Sequence, residues 1–231
     1  MTDHKIVSQD EWIAARRQLL AQEKEFTRQR DLLSQARRDL PWVRVEKAYE
    51  FDTADGRRSL PDLFDGRSQL IVYHFMFGPD WETPCKSCSF WADNFERSVV
   101  HLKARDVTLI AVSRAPLAKL EAFKQRMGWT FNWVSSATTD FNFDCDASFR
   151  PEEQATYNYA PKTSSVTELP GISVFHKDAS GTVFHTYSCY SRGIDMMNAT
   201  YQYLDLVPKG RDEADLPHSM AWVHYRDSYG G

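Results

Sequence analysis

The most constraining feature of this sequence is a strand-length apolar run that leads, after a short loop, into two cysteines at the start of a helical pattern. Residues 70–77 are continuously apolar or aromatic apart from His74, and Gly78 and Pro79 end the run. Such a run fits a strand buried on both faces, because a half-exposed strand would alternate with polar residues. From Cys85 onward the spacing changes. Phe90, Trp91, Phe95, Val99 and Leu102 recur at helical intervals to about residue 104. A second buried strand follows at residues 107–112. Residues 116–127 then form a helix with Pro116 in its first turn and Gly128 as its stop, and a third strand is expected at 131–134. Strands that alternate with single helices require a parallel sheet with crossover connections.

The flanking segments are read the same way. Ser8 and Glu11 form an S-x-x-E capping box. Trp12, Ala15, Leu19, Leu20, Phe26, Leu33, Ala36 and Leu40 continue at helical spacing to Arg37, Arg38 and Pro41. The expected helix is about 45 Å long, so it must wrap a domain or reach a partner chain. The preferred reading is a structural arm, and a homodimer through it is compatible with the pattern. Residues 49–63 read as a strand, a turn at Asp55-Gly56 and a short segment. The stretch 135–169 is irregular, as functional or partly helical insertions are. Strands at 171–176 and 182–188 form a hairpin around residues 177–181, and a last helix runs from 195 to about 206. The resulting division is an N-terminal helical arm at 1–40, a domain at 41–208 and a polar C-terminal tail at 209–231 carrying Trp222, His224 and Tyr225. The order β-α-β-α-β, insertion, β-β-α is that of an α/β protein with the thioredoxin fold, peroxiredoxin-like additions and a long N-terminal helix.

Composition narrows the function. The 231 residues are 42% hydrophobic and 26% charged, with a net charge of -4 and both signs interspersed. No basic stripe points to nucleic acid. No apolar run is long enough to span a bilayer, and the first twelve residues contain no signal-like apolar core. The expected location is the cytoplasm, where structural disulfides are rare, so four cysteines with two in one Cys-x-x-Cys point to redox or metal chemistry. A zinc site would need Cys145 and Cys189 as a second pair. They are 44 positions apart and lack knuckle spacing, so redox is preferred, with no metal or cofactor. Cys145 and Cys189 themselves read as small buried hydrophobes.

Cysteines three apart on a first helical turn share one face and can close a disulfide. Free amides at the helix start favour a thiolate at Cys85 by about 1 kcal/mol, and one pKa unit corresponds to about 1.36 kcal/mol. Cys85 is thus the attacking sulfur and Cys88 the resolving one. Lys86 places a positive charge beside Cys85. Trp81, close in sequence, is a candidate to line the groove. Tyr73 and His74 are candidates for proton handling, and strand alternation lets only one of them face the dithiol. Pro170, which directly precedes a strand, is expected in the cis form that thioredoxin-fold proteins place against the dithiol.

Residues 74–79 (His-Phe-Met-Phe-Gly-Pro), Trp81, Cys85-x-x-Cys88 and Trp91 resemble a thioredoxin-like bacterial family of unknown function whose members are predicted dithiol–disulfide oxidoreductases. The resemblance extends over Glu11-Trp12, residues 23–25, Arg37-Arg38-x-Leu40-Pro41, residues 112–114, Gly128-Trp129 and residues 169–171. The dithiol at the helix mouth itself points to a disulfide-containing protein or a small-molecule thiol compound as substrate. The middle of the chain also resembles peroxiredoxins, whose P-x-x-x-T-x-x-C pattern implies a thiol peroxidase. Pro79 and Thr83 keep the first spacing, but Thr83-Pro84-Cys85 is one residue short of the second. A thioredoxin-fold scaffold without catalysis is the third reading.

Overall fold

The structure is a computed structural model, and it describes residues 4–151 and 153–230. The start of the expected arm and the last residue of the expected tail lie outside the described residues. The chain divides into two compact units between Pro41 and Trp42. The first contains α1 (Gln9–Arg38), whose capping box is formed as expected. The Glu11 amide donates to Ser8 Oγ at 3.3 Å, and the Ser8 amide donates to the Glu11 carboxylate at 2.9 Å. Arg37 and Arg38 occupy the last turn, where cations complement the helix dipole.

The second unit is built on an eight-stranded sheet. In chain order its elements are β1 (Val43–Arg44), β2 (Glu50–Thr53), β3 (Gly56–Ser59), β4 (Gln69–His74), α2 (Lys86–Phe95), α3 (Val99–Lys103), β5 (Val107–Ser113), α4 (Leu117–Met127) and β6 (Asn132–Ser135). Then come α5 (Phe141–Asp144), a small separate hairpin β7 (Thr156–Tyr157) and β8 (Ala160–Pro161), then β9 (Gly171–Lys177), β10 (Val183–Tyr190) and α6 (Ala199–Leu204). The strand order is β1-β10-β9-β4-β5-β6-β2-β3. β4, β5 and β6 are parallel neighbours, and β9 lies antiparallel on the other side of β4. A β-α-β half feeding an antiparallel β-hairpin and a closing helix, all in one mixed sheet, is the thioredoxin fold. β6, β2 and β3 extend it at one edge.

Strand alternation gives each face of the sheet its own core. Tyr73 and Phe75 of the central run, Leu109, Ala111, Trp133 and Ile172 pack with Cys88, Phe90, Trp91, Phe95, Leu120 and Phe123 from the helices. Leu70, Val72, Ile110, Val112, Val134 and Phe175 pack on the other face with Phe51, Phe64 and Phe141. Burying one such side chain is worth about 1.5–3 kcal/mol. Ordinary helix propensities differ by less than about 0.7 kcal/mol per residue. Packing therefore decides where α2 lies, even though Phe, Trp and Ser are indifferent helix formers.

Three expectations need correction. The helical stretch from Cys85 to about 104 is broken by a 3-10 turn at Glu96–Ser98 into α2 and α3. The last helix is shorter than expected, because a 3-10 segment (Ser191–Met197) precedes α6. No cis peptide bond occurs among the described residues, so Pro170 is trans. The chain enters β9 already extended. The Leu169 amide donates to the Ala147 carbonyl at 2.9 Å, and Glu168 bridges Ser148 in antiparallel fashion, so no tight cis turn is needed.

Candidate active site

The central strand ends at His74, and the following backbone threads between neighbours that fix its path. The Phe75 amide donates to Val112, and the Ala115 amide to Phe77. Lys119 Nζ donates to the carbonyls of Pro79 at 3.0 Å and Trp81 at 2.9 Å, pinning the loop that precedes α2. Met76 holds both cysteines. Its carbonyl accepts the Cys85 amide at 3.0 Å, and its amide donates to Cys88 Sγ at 3.5 Å.

Cys85 is the N-cap of α2, with extended backbone angles, at the end of the helix where the first-turn amides are free. Its pKa is lowered to about 6. The largest cause is a hydrogen bond from the Cys88 thiol, and the amides of Cys88 and Ser87 and the Ser87 hydroxyl add to it against the cost of burial. Cys88, one turn into the helix, is 2% exposed, and burial with the adjacent Cys85 sulfur pushes its thiol well above the ordinary range. No disulfide joins Cys85 and Cys88 in this structure. The division is one sulfur poised as a thiolate and one held as a thiol that donates to it.

The supporting candidates separate clearly. Tyr73 faces the dithiol. It is fully buried, its hydroxyl meets no hydrogen-bond acceptor in good geometry, and burial together with Cys88 raises its pKa. His74 points to the opposite face of the sheet, where its Nε2 pairs with Ser173 Oγ at 2.9 Å. Burial lowers its pKa to about 3, so it is a neutral core residue away from the dithiol. Lys86 is exposed, and the main groups that lower Cys85 are uncharged. Trp81 lies against Gly78 and lines a separate cavity with Arg114, Phe143 and Arg150, because Lys119 holds its backbone there. Pro170 borders the dithiol, and its carbonyl accepts the Tyr157 hydroxyl at 2.8 Å. Among the described residues, no group of three or more His, Cys, Asp and Glu side chains is arranged to hold a metal ion.

Beside the cysteines lies a cavity of about 450 Å³. Cys85, Cys88, Tyr73 and Trp91 form one side, Tyr157, Leu169 and Pro170 another, and Tyr201, Arg211, Glu213 and Met220 the rest. The polar sequence of the C-terminal segment does not reveal this contribution. Tyr225 is 8% exposed, packs on Phe123 at 5.2 Å and donates from its hydroxyl to the Pro84 carbonyl, next to Cys85. The available signal was the aromatic group Trp222, Tyr225 and Tyr229 in an otherwise polar stretch.

Topology and site define a thioredoxin-fold protein with a cysteine pair at the mouth of the helix that follows its central strand. Residues 1–229 match the family described as bacterial protein of unknown function (DUF899), and this chain belongs to that family. No curated protein matches it. Similar solved structures include peroxidoxin BcpB from Mycobacterium tuberculosis, at 15% identity and a TM-score of 0.46 over 71% of this chain and 97% of that one. Peroxiredoxin Q from Xanthomonas campestris has 14% identity and a TM-score of 0.47 over 71% and 98%. Plasmodium yoelii thioredoxin peroxidase I has 16% identity and a TM-score of 0.43 over 72% and 95%. These likenesses are too distant to carry an argument about this chain's chemistry. No helix among the described residues is long and apolar enough to cross a membrane.

Proposed function

We propose that this protein is a thiol–disulfide oxidoreductase in which Cys85 attacks and Cys88 resolves. The observation that supports the reading is the paired environment of the two sulfurs. One caps a helix N-terminus with a pKa of about 6, and the other sits one turn deeper and donates a hydrogen bond to it.

In the reductive direction, the Cys85 thiolate attacks one sulfur of a substrate disulfide, forming a mixed disulfide and releasing the other sulfur as a thiolate that takes up a proton. Cys88 then loses its proton and attacks Cys85 Sγ. The Cys85–Cys88 disulfide forms, the second substrate thiolate leaves, and two electrons have passed to the substrate. Tyr73 acts as a positioning residue in this scheme. Its hydroxyl, otherwise without an acceptor, is placed to donate to the Cys88 sulfur as that sulfur gains charge. Pro170 acts by bordering the groove in which the substrate disulfide lies against Cys85.

The test is reduction of a small uncharged disulfide, bis(2-hydroxyethyl) disulfide, by wild type and by Cys85→Ser. The expected result is activity in the wild type and loss of at least about 1,000-fold in the variant, since the nucleophile is removed. Cys88→Ser should instead accumulate the mixed disulfide on Cys85, visible as added substrate mass. Equal activity in wild type and Cys85→Ser ends the reading. Oxidation of Cys85 by peroxide much faster than free cysteine, without disulfide exchange, would turn it to a thiol peroxidase.

A further inference from the structure

The cavity beside the dithiol has two properties that bear on its substrate. It is recessed, because the C-terminal segment builds one wall. Trp222 packs edge-on against Phe90 at 5.5 Å, and Tyr201 packs against the same ring at 5.5 Å. Its charges are also already satisfied. Two cations, Arg192 and Arg211, and two carboxylates, Asp195 and Glu213, line it. Arg211 pairs with Asp195 and Asp205, each at 2.8 Å, and lies over the Tyr201 ring at 4.0 Å. Glu213 accepts from the Tyr201 hydroxyl at 2.7 Å, from Trp222 Nε1 at 2.7 Å and from the Met220 amide at 3.1 Å. Arg192 stands at the rim, its side chain 85% exposed, and reaches Asp195 at 3.4 Å. The rest of the lining is mainly apolar (Tyr73, Met76, Trp91, Leu169, Pro170 and Ile194), with the Ser87, Ser191 and Ser219 hydroxyls among it.

We infer that the dithiol acts on a small, uncharged, apolar disulfide rather than on protein disulfides or anionic ones. The inference rests on the exchange reading of Cys85 and Cys88 given above. A volume of about 450 Å³ suits a small molecule, as pockets of about 300–1,000 Å³ generally do. An anionic group entering it would lose water and find Arg211, the recessed cation, already paired with two carboxylates, which is a device for rejection as much as selection. A folded protein would have to bring its disulfide past the wall formed by the C-terminal segment. In the step itself, Cys85 displaces one half of the substrate as a thiol and Cys88 displaces the other. The chain ends as the Cys85–Cys88 disulfide and the substrate as two thiols, so no other reductant enters a single turnover.

The experiment uses the full chain, reduced and freed of reductant, and follows its single-turnover oxidation at pH 7. The oxidants are the neutral diamide of 4,4′-dithiodibutyric acid, the parent diacid, and insulin. Each rate is divided by that of mercaptoethanol with the same disulfide. The expected order places the diamide at least fivefold above both others. Met220→Lys, which adds one positive charge to the wall, should move the diamide-to-diacid ratio at least fivefold toward the diacid. A wild-type preference below fivefold, or insulin in the lead, overturns the inference while leaving the exchange reading intact. If all three oxidants react no faster with the protein than with mercaptoethanol, the exchange reading itself fails and the inference falls with it.

Discussion

Cys85 and Cys145 are the same chemical group at similar exposure, and the fold drives them in opposite directions. Cys85 precedes the first turn of α2 and faces its free amides and the Cys88 thiol, which lower its pKa to about 6. Cys145 follows the last turn of α5, where carbonyl ends gather, and its neighbours are Asp144 and Asp146. Withdrawal from water and those carboxylates push it up to about 12. The difference lies first in hydrogen bonding against burial: Cys85 receives the Cys88 thiol and the amides of the first turn, whereas Cys145 is withdrawn from water beside two carboxylates.

The comparison breaks most visibly in alkylation. At pH 7 the Cys85 thiolate predominates, whereas Cys145 is ionised about once in 100,000 molecules. The weaker nucleophilicity of a low-pKa thiolate takes back part of that gap, so Cys85 should react with iodoacetamide more than about 100-fold faster. Peptide mapping by mass spectrometry reads the ratio, and near-equal labelling would undo the contrast.

A second effect belongs to the two faces of β4. His74, on the face away from Cys85 and Cys88, has a folded pKa of about 3, whereas the unfolded chain takes up that proton near 6.5. Between those values the unfolded state binds more protons. Stability from this group is therefore complete above pH 6.5 and falls as the pH drops toward 3, by at most about 1.36 kcal/mol per unit. Urea unfolding should show wild type losing ground to His74→Gln by that slope below pH 6.5, and parallel curves would show that His74 is not held neutral. On the other face, Tyr73→Phe should slow resolution of the mixed disulfide by about fivefold, the worth of one hydrogen bond near 1 kcal/mol, while leaving the first attack by Cys85 unchanged. Equal slowing of both steps would mean that the hydroxyl acts on packing alone.

How far these features could be read from residue order depends on the range of the forces involved. The capping box at Ser8, the apolar run that becomes β4, the helix after Cys85 and the hairpin of β9 and β10 rest on local spacing and were legible. The placement of Cys85 at a helix mouth followed from the same spacing. Which of Tyr73 and His74 faces Cys85 and Cys88 was ambiguous by one residue, because that choice is fixed by the pairing of β4 with β5 and β9, partners more than thirty positions away. Pro170 defeated local reasoning because its geometry is set by pairing with Ala147 and Ser148, more than twenty positions away. The wall beside the site was hidden for the same reason. Val223 and Tyr225 are buried within a segment whose composition is polar, and only long-range packing on Phe123 and Pro84 reveals it.

The central claim is that Cys85 is a thiolate near neutral pH because of the helix start and Cys88. Its most direct test is the titration of thiolate absorbance near 240 nm in wild type, with Cys85→Ser subtracted. A midpoint near 6 that rises when Cys88 is changed to Ala agrees with this account. A midpoint at or above about 8.5, the value of an unperturbed cysteine, contradicts it.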